Sequence, residues 1–554
     1  MFRDRLAKFS QMFRLWQWLI FFIAALFSIP ALSVFSALFE SQNAIWDHIK
    51  QTVLSDYLAN SFILVVGVGV GTLLLGVSTA WLTSLCRFPA KRVFSWMLLL
   101  PMAMPAYVIA YTYTGLLDFA GPVQSYLRAV MGWGYGDYWF PEVRSIGGAI
   151  TMLSLVLYPY VYLMARAAFI EQSICVLEVS RTLGCSPWQS FRRVAVPLAR
   201  PAIVAGLSLV LMETLADYGT VSYFGISVFT TGIFRTWFGM GDEVAAAKLA
   251  AMLLTFIFTL VVLERVSRAK AQYHHTSTKY SQLPEYRLSK GRAVLAMLVC
   301  AIPVVLGFVL PATILGVWTV ETYASMVDKH FFVLAWNSFS LAAIAAIISV
   351  FVALILAYGK RLFPSSMIKV AVRVSGMGYA IPGTVVAVGV MVPFAWLDNT
   401  LDSYARANWG FSTGLILSGT AIALIFAYVV RFLAVSLQAI ESGLGKIKHS
   451  MDDAARSLGC SPAQSLYRVH IPLMKGSVLT ALLIVFVDIM KELPATLILR
   501  PFNFNTLAVR AFELASDERL ADASSAALMI VVTGLVPVLM LSYSITFSRA
   551  GANS

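Results

Sequence analysis

The chain has 554 residues, 59% of them hydrophobic and 12% charged, against roughly 45–50% and roughly 25% in soluble domains. Several apolar runs reach the roughly 20 residues that a bilayer core demands, which excludes a soluble enzyme, a disordered scaffold and a disulfide-built secreted domain. The net charge of +13 would suggest nucleic acid as a partner, but the placement of the cations accounts for it otherwise, as shown below.

In chain order, Arg3, Arg5, Lys8 and Arg14 precede an apolar run near 16–39. That run is too long for the core of a signal peptide and reads as the first membrane helix. Further spans lie near 58–83, 93–117, 147–169, 201–224, 245–264, 293–318, 335–358, 368–397, 411–437, 476–498 and 524–547, giving twelve. With the N-terminus in the cytoplasm, 29 Lys and Arg fall in inside segments and nine outside. This bias places both termini in the cytoplasm and gives the positive charge a topological origin, with no nucleic acid as partner. The chain divides into an N-terminal segment with the first helix (1–57), a first core (58–265), a polar cytoplasmic linker (266–292), the seventh helix with its outer loop (293–334), a second core (335–547) and a cytoplasmic tail (548–554). Cys86, Cys175, Cys185, Cys300 and Cys460 show no C-x-x-C spacing and read as ordinary thiols. His48, His330, His449 and His470 lie in or beside loops, and no metal ligand is assigned.

The two cores repeat one another. Asn60-Ser61-Phe62 recurs as Asn337-Ser338-Phe339, and Met104-Pro105-Ala106-Tyr107-Val108 as Ile381-Pro382-Gly383-Thr384-Val385, both 277 residues later. Pro101, Pro105 and Pro382 can kink the third and ninth spans. Between the fourth and fifth spans, residues 178–198 match 453–473 at 12 of 21 positions with an offset of 275. The chain is therefore read as an all-α integral membrane protein of twelve helices in two tandem six-helix halves. Six is even, so the halves enter the membrane in the same direction and are expected to be related by a pseudo-twofold axis along the membrane normal.

The repeated loop has ordered chemistry. Cys175 to Leu183 reads as a short helix, Gly184 permits a turn, and Ser186-Pro187 caps a second short helix on which Trp188, Phe191 and Val194 share a face beside Arg192 and Arg193. Pro197 and Pro201 end that helix and start the fifth span. A cytoplasmic helix-turn-helix with an apolar face needs a covering partner, and two copies need two.

Glu178, Gly184 and Pro197, and again Asp453-Ala454-Ala455, Gly459 and Pro472, resemble the EAA loop of ABC importer permeases. The departures are Val179-Ser180 for Ala-Ala and Asp453 for Glu. The resemblance implies the type I importer permease fold, with a five-span core and one peripheral helix per half. It also implies coupling loops that dock on two copies of an ABC ATPase subunit, a periplasmic substrate-binding protein as a further partner, and a place among the lipids of a bacterial inner membrane. No G-x-x-x-x-G-K-[ST] occurs, so ATP belongs to the partner subunit, and this chain is read as a permease without a cofactor or catalytic residue of its own.

Ionisable residues within spans are costly and point to function. Glu213 and Asp217 in the fifth span recur as Asp488 and Glu492 in the eleventh, each an i, i+4 pair expected on one helical face. Glu213 falls roughly 18 Å into a hydrocarbon core of about 30 Å. Four carboxylates lining a translocation path would suit a hard cation. The alternative is structural pairing, with Lys491, Arg373 or Lys248 as partners. The stretches Glu213–Thr220 and Lys491–Ala508 are similar to those of fused permeases of ferric iron importers, and the fusion also resembles thiamine permeases. Ferric iron is the expected substrate, thiamine or a polyamine the alternative, and an ion-gradient-driven secondary transporter the remote one.

Overall fold

The computed structural model describes residues 2–41, 44–134, 136–171, 186–269 and 286–547. Apart from one two-residue parallel pairing, the described chain is helical. Inside hydrocarbon every backbone N–H and C=O must be satisfied within the protein, and long apolar helices do this locally. Ten helices are long and apolar enough to cross a membrane, and twelve spans result if each of two bent pairs counts as one. The pairs are Lys91–Ala103 with Ala106–Met131, at 91°, and Pro462–Leu473 with Lys475–Met490, at 83°. The first bend falls at Pro105, as its sequence suggests, and the ninth span is likewise interrupted before Gly383 at Pro382. A proline has no N–H to continue the preceding ladder, so both copies of this segment restart at the same residue of the repeat.

The chain forms two compact units that do not follow the tandem halves. One comprises Met1–Ile45, Ile233–Ala251 and Lys329–Val509, and the other comprises Trp46–Gly232, Met252–Asp328 and Arg510–Ser554. In the first, Lys329–Leu362, Ala421–Gly445 and Lys475–Met490 pack together, and the first span, Phe2–Ser36, lies against Ser366–Ser375 and Gly383–Trp409. In the second, Leu54–Leu85, Ile146–Glu171 and Val196–Ala216 make the equivalent triple, while Leu310–Met326 packs on Leu520–Phe547. The first span thus lies against the ninth, in the other sequence half, while the seventh packs chiefly on the twelfth of its own half and also touches the third.

Small residues let these helices approach. A Cβ at Gly67, Gly71 or Gly76 would overlap Ile150, Ser154 or Val161 of the fourth span, the close-packed stripe expected where hydrophobicity itself does not drive helices together. At Gly389 a Cβ would overlap the backbone carbonyl of Pro30 in the first span. Backbone cannot swing aside as a side chain can. Gly389→Ala should therefore push the first span off the ninth and cost about 1–3 kcal/mol, read as a lower melting temperature of the purified chain in detergent. An unchanged melting temperature would show that this contact is not tight.

Candidate functional site: span breaks and cytoplasmic loops

The fifth span does not run through as one helix. It ends at Ala216, Asp217 turns extended with ψ 131°, and a five-residue helix, Gly219–Tyr223, follows. The eleventh span ends at Met490 and restarts as Pro494–Leu499. The expected pairing of Glu213 with Asp217, and of Asp488 with Glu492, on one face of a continuous helix is thereby corrected. The second member of each pair lies beyond the helix end and caps the next helix.

A new helix exposes N–H groups with no acceptor, and a carboxylate at the cap supplies one. Asp217 Oδ1 accepts from the N–H groups of Thr220 and Val221, both at 3.1 Å, and Oδ2 accepts from Thr220 Oγ1 at 3.0 Å. Glu492 does the same 275 residues later, accepting from Ala495 N at 2.9 Å and from Thr496 N and Oγ1 at 3.1 and 2.8 Å. Glu213 is half-buried in the last turn before the first break, and Asp488 pairs with Lys491 at 2.9 Å. Of the other cations weighed as partners, Lys248 donates to the carbonyls of Glu40 and Ser41 at 3.2 and 3.1 Å. Arg373 is exposed on Ser366–Ser375.

Sequence reasoning missed the cation that matters here. Arg431, counted among the cytoplasmic charges, is 8% exposed within the helix Ala421–Gly445 and donates from Nη1 to Glu492 Oε1 at 2.8 Å. Tyr428 on the same helix shares a 2.6 Å hydrogen bond with Thr496. The pair needs room: a Cβ on Gly383 would overlap the guanidinium of Arg431 and come within 2.6 Å of Glu492 Oε1. In the first half the corresponding positions are Val156, Asp217 and Ala106. At those places the first half has no cation, a carboxylate one methylene shorter, and alanine where the second half has glycine. The signal was available as this co-occurring difference between the copies.

The loops divide by what is described. Glu178 and Gly184 lie outside the described residues. From Ser186 onward the first loop shows the anticipated cap, with Ser186 N donating to Gln189 Oε1 at 2.8 Å and Gln189 N to Ser186 Oγ at 3.3 Å. Ser461 and Gln464 repeat it at 2.9 and 3.3 Å. Each cap leads into a five-residue π-helix turn, Phe191–Ala195 and Leu466–His470, just before Pro197 and Pro472. After the first turn the helix runs straight on as Trp188–Ala216, whereas the second bends by 83° at Met474. Trp188, Leu458 and Tyr467 are largely exposed apolar side chains of these segments.

Asp453 is exposed at the surface of His449–Ser457, with Arg456 Nη1 3.6 Å away, while its neighbour Asp452 is buried. Gly459 has φ +81°, and nothing stands within 4 Å of the position a Cβ would take. The glycine is required there by conformation and not by space, since a left-handed residue ends the helix and lets Gly459 N and Cys460 N reach back to Arg456 O and Ala455 O at 2.9 and 3.0 Å. Among the described residues, no group of three or more His, Cys, Asp or Glu is placed to hold a metal ion.

Two predictions follow from this geometry. Arg431→Met leaves a buried carboxylate without its cation and should cost about 3–5 kcal/mol, while Arg431→Met with Glu492→Gln recovers much of the loss; equal melting temperatures for single and double variants would contradict the pairing. At position 459, function should decline in the order Gly, Asn, Ala, Val, because Asn tolerates the left-handed region and a β-branched residue does not. Transport assayed at matched membrane abundance gives the order, and a tolerated Val would refute the conformational argument.

The family model described as the inner membrane component of binding-protein-dependent transport systems matches residues 72–271 and again 349–549. An Fe(3+)-transport system permease protein of Haemophilus influenzae is 26% identical over 492 residues, 88% of this chain and 90% of its own length. A ferric transport system permease protein of Actinobacillus pleuropneumoniae is 26% identical over 463 residues, covering 80% of this chain and 64% of its own length. A molybdenum transport system permease protein of Escherichia coli is 25% identical over 206 residues, 35% of this chain and 87% of its own. With the family matched once in each half, the chain belongs to the binding-protein-dependent transport inner membrane components, as a multi-pass, non-catalytic permease subunit of an ABC importer carrying both permease domains in one polypeptide.

Proposed function

We propose that this permease carries ferric iron across a bacterial inner membrane, with both termini in the cytoplasm. The observation that carries the reading is the extent of likeness. Permeases named for ferric iron match over 80–88% of the chain, through both halves, whereas the molybdenum permease matches over 35% of it. The acidic residues at the span breaks agree with a hard cation as cargo, which oxygen ligands suit best. Asp217 and Glu492 are committed to capping and support the route; Glu213 and Asp488 are the carboxylates proposed to meet the cargo in each half.

In this reading a periplasmic binding protein delivers the ion, and two copies of an ABC ATPase subunit, which hold the ATP, take up the coupling loops. Glu178, Gly184 and Pro197 form the first of these loops, Asp453, Gly459 and Pro472 the second. The exposed Trp188, Leu458 and Tyr467 give those loops apolar surface for the ATPase to cover. Closure of the ATPase pair moves the loops, and the spans attached to them alternate the access of the route. The chain itself holds no resident cofactor.

Radiolabelled ferric uptake in iron-starved cells tests the substrate, with the chain present, deleted, or carrying Glu213→Gln and Asp488→Asn, and with labelled thiamine, a polyamine and molybdenum oxyanion in parallel. Deletion should abolish iron uptake and leave the others unchanged. The double variant should reach the membrane at normal abundance and lose at least about tenfold in uptake, the loss expected when a charged contact is removed. Iron uptake that survives deletion while one of the other substrates fails would overturn the assignment.

A further inference from the structure

The second loop is held at its base by one arginine. Arg361 stands in the last turn of Lys329–Leu362, the eighth span, with its side chain 9% exposed. Nε and Nη2 donate to Asp452 Oδ2 at 2.9 and 2.7 Å, Nη1 donates to the carbonyl of Leu444 at 2.6 Å, and Nη2 also donates to that of Ile447 at 2.8 Å. Leu444 lies in the last turn of Ala421–Gly445, the tenth span. Ile447 lies in the connection to the loop helix His449–Ser457, in whose first turn Asp452 stands. One guanidinium thus joins the ends of two spans to the loop that follows them.

Each of these bonds answers a need of its own element. The last carbonyls of a helix have no N–H to accept from, and a cation there also meets the negative end of the helix dipole. Asp452 has a side chain 7% exposed, and a carboxylate so buried persists as an ion only beside a well-placed cation with further hydrogen bonds. The guanidinium is a planar fork, and four of its five N–H groups are engaged here. A lysine ammonium is a compact point charge and could not hold three acceptors in these directions. The ring of His470, fully buried in the turn Leu466–His470, covers the carboxylate from the other side. Asp453, one residue on, is exposed, so the arginine fixes which face of the loop helix is turned outward.

The first loop has no such arginine. At the places of Arg361 and Asp452 it has Ser84 and Leu177, of which Leu177 lies outside the described residues. There the ring of Trp81, in the second span, packs on Phe191 of the π-helix turn with centroids 4.9 Å apart, and on Tyr286 at 6.0 Å. Apolar packing sets the first loop, and directed bonds from a charged group set the second.

We propose that Arg361 is the positioning residue of the second coupling loop, tying the helix that carries Asp453 to the ends of the eighth and tenth spans so that loop and spans move as one body. The first loop takes its position from aromatic packing and needs no cation. That the tie bears on transport rests on the reading of the loop as the ATPase-coupling segment; the tie itself does not.

The test begins with amide hydrogen exchange of the full chain in lipid nanodiscs. Arg361→Met with Asp452→Leu, the residue of the first half, removes all four bonds and leaves no buried charge alone, so this variant is expected to fold. Its protection over 449–457 should fall by at least about tenfold, the loss expected for one hydrogen bond to a charged group, while 186–195 stays at the wild-type level. Arg361→Lys, which keeps the charge without the fork, should fall between the two. Wild-type protection in either variant overturns the proposal, as does a fall of equal size in both loops. The chain in proteoliposomes with its ATPase subunit and binding protein then gives ATP hydrolysis and radiolabelled ferric uptake per assembled complex. A positioning role predicts hydrolysis near the wild-type rate with uptake lower by on the order of tenfold, the size of an ordinary coupling free energy between sites. A merely structural role lowers both together, and that result overturns the proposal. Lowered protection with hydrolysis and uptake both unchanged retains the tie and rejects the coupling role of the loop. Ferric uptake absent from the wild-type complex refutes the iron reading and leaves the exchange result to decide the tie.

Discussion

A helix that breaks inside a membrane leaves backbone N–H groups with no water to satisfy them, and this constraint governs the sites of this permease. The fifth and eleventh spans each stop and restart as a short helix, Gly219–Tyr223 and Pro494–Leu499. At both restarts the acceptor is a side-chain carboxylate, from Asp217 in one half and Glu492 in the other. A charged group in a span is thus explained first by the backbone it satisfies. The break is what makes the acid necessary, and the acid is what makes the break tolerable.

The two halves then neutralise this device differently. Glu492 carries the cap and an ion pair with Arg431, and Gly383 leaves the volume that the pair occupies. Asp217 works with Val156 and Ala106 at those places, and its neighbour Thr230 donates to its backbone carbonyl at 2.8 Å. Three substitutions that are unrelated in sequence are related by one volume and one charge.

How much of this was legible in the sequence depended on range. The helical, multi-span character, the breaks at Pro105 and Pro382 and the Ser-Pro caps are written in local pattern, and the structure has ten spanning helices, or twelve with the two bent pairs, with those breaks and caps in place. The breaks at Asp217 and Glu492 were not legible, because hydropathy continues through them and acids four residues apart resemble one helical face. Arg431 was misplaced because its partner is 61 residues away and its neighbours read as a span end. A turn was read at Gly184, and at its counterpart Gly459 the φ of +81° with open space around it shows that conformation and not packing is the reason. The packing of the first span on the ninth, and of the seventh on the twelfth and third, is long-range and has no local signature.

Asp452 was passed over for a more instructive reason. Function was sought in what the two halves share, and that comparison selects Asp453, which is exposed, over Asp452, which is buried and bound. The features described in both loops, the Ser-Pro cap and the π-helix turn, shape the backbone. What differs lies behind them: Trp81 against Phe191 in one copy, Arg361, Asp452 and His470 in the other. The differences between internal repeats therefore identify how each copy is held.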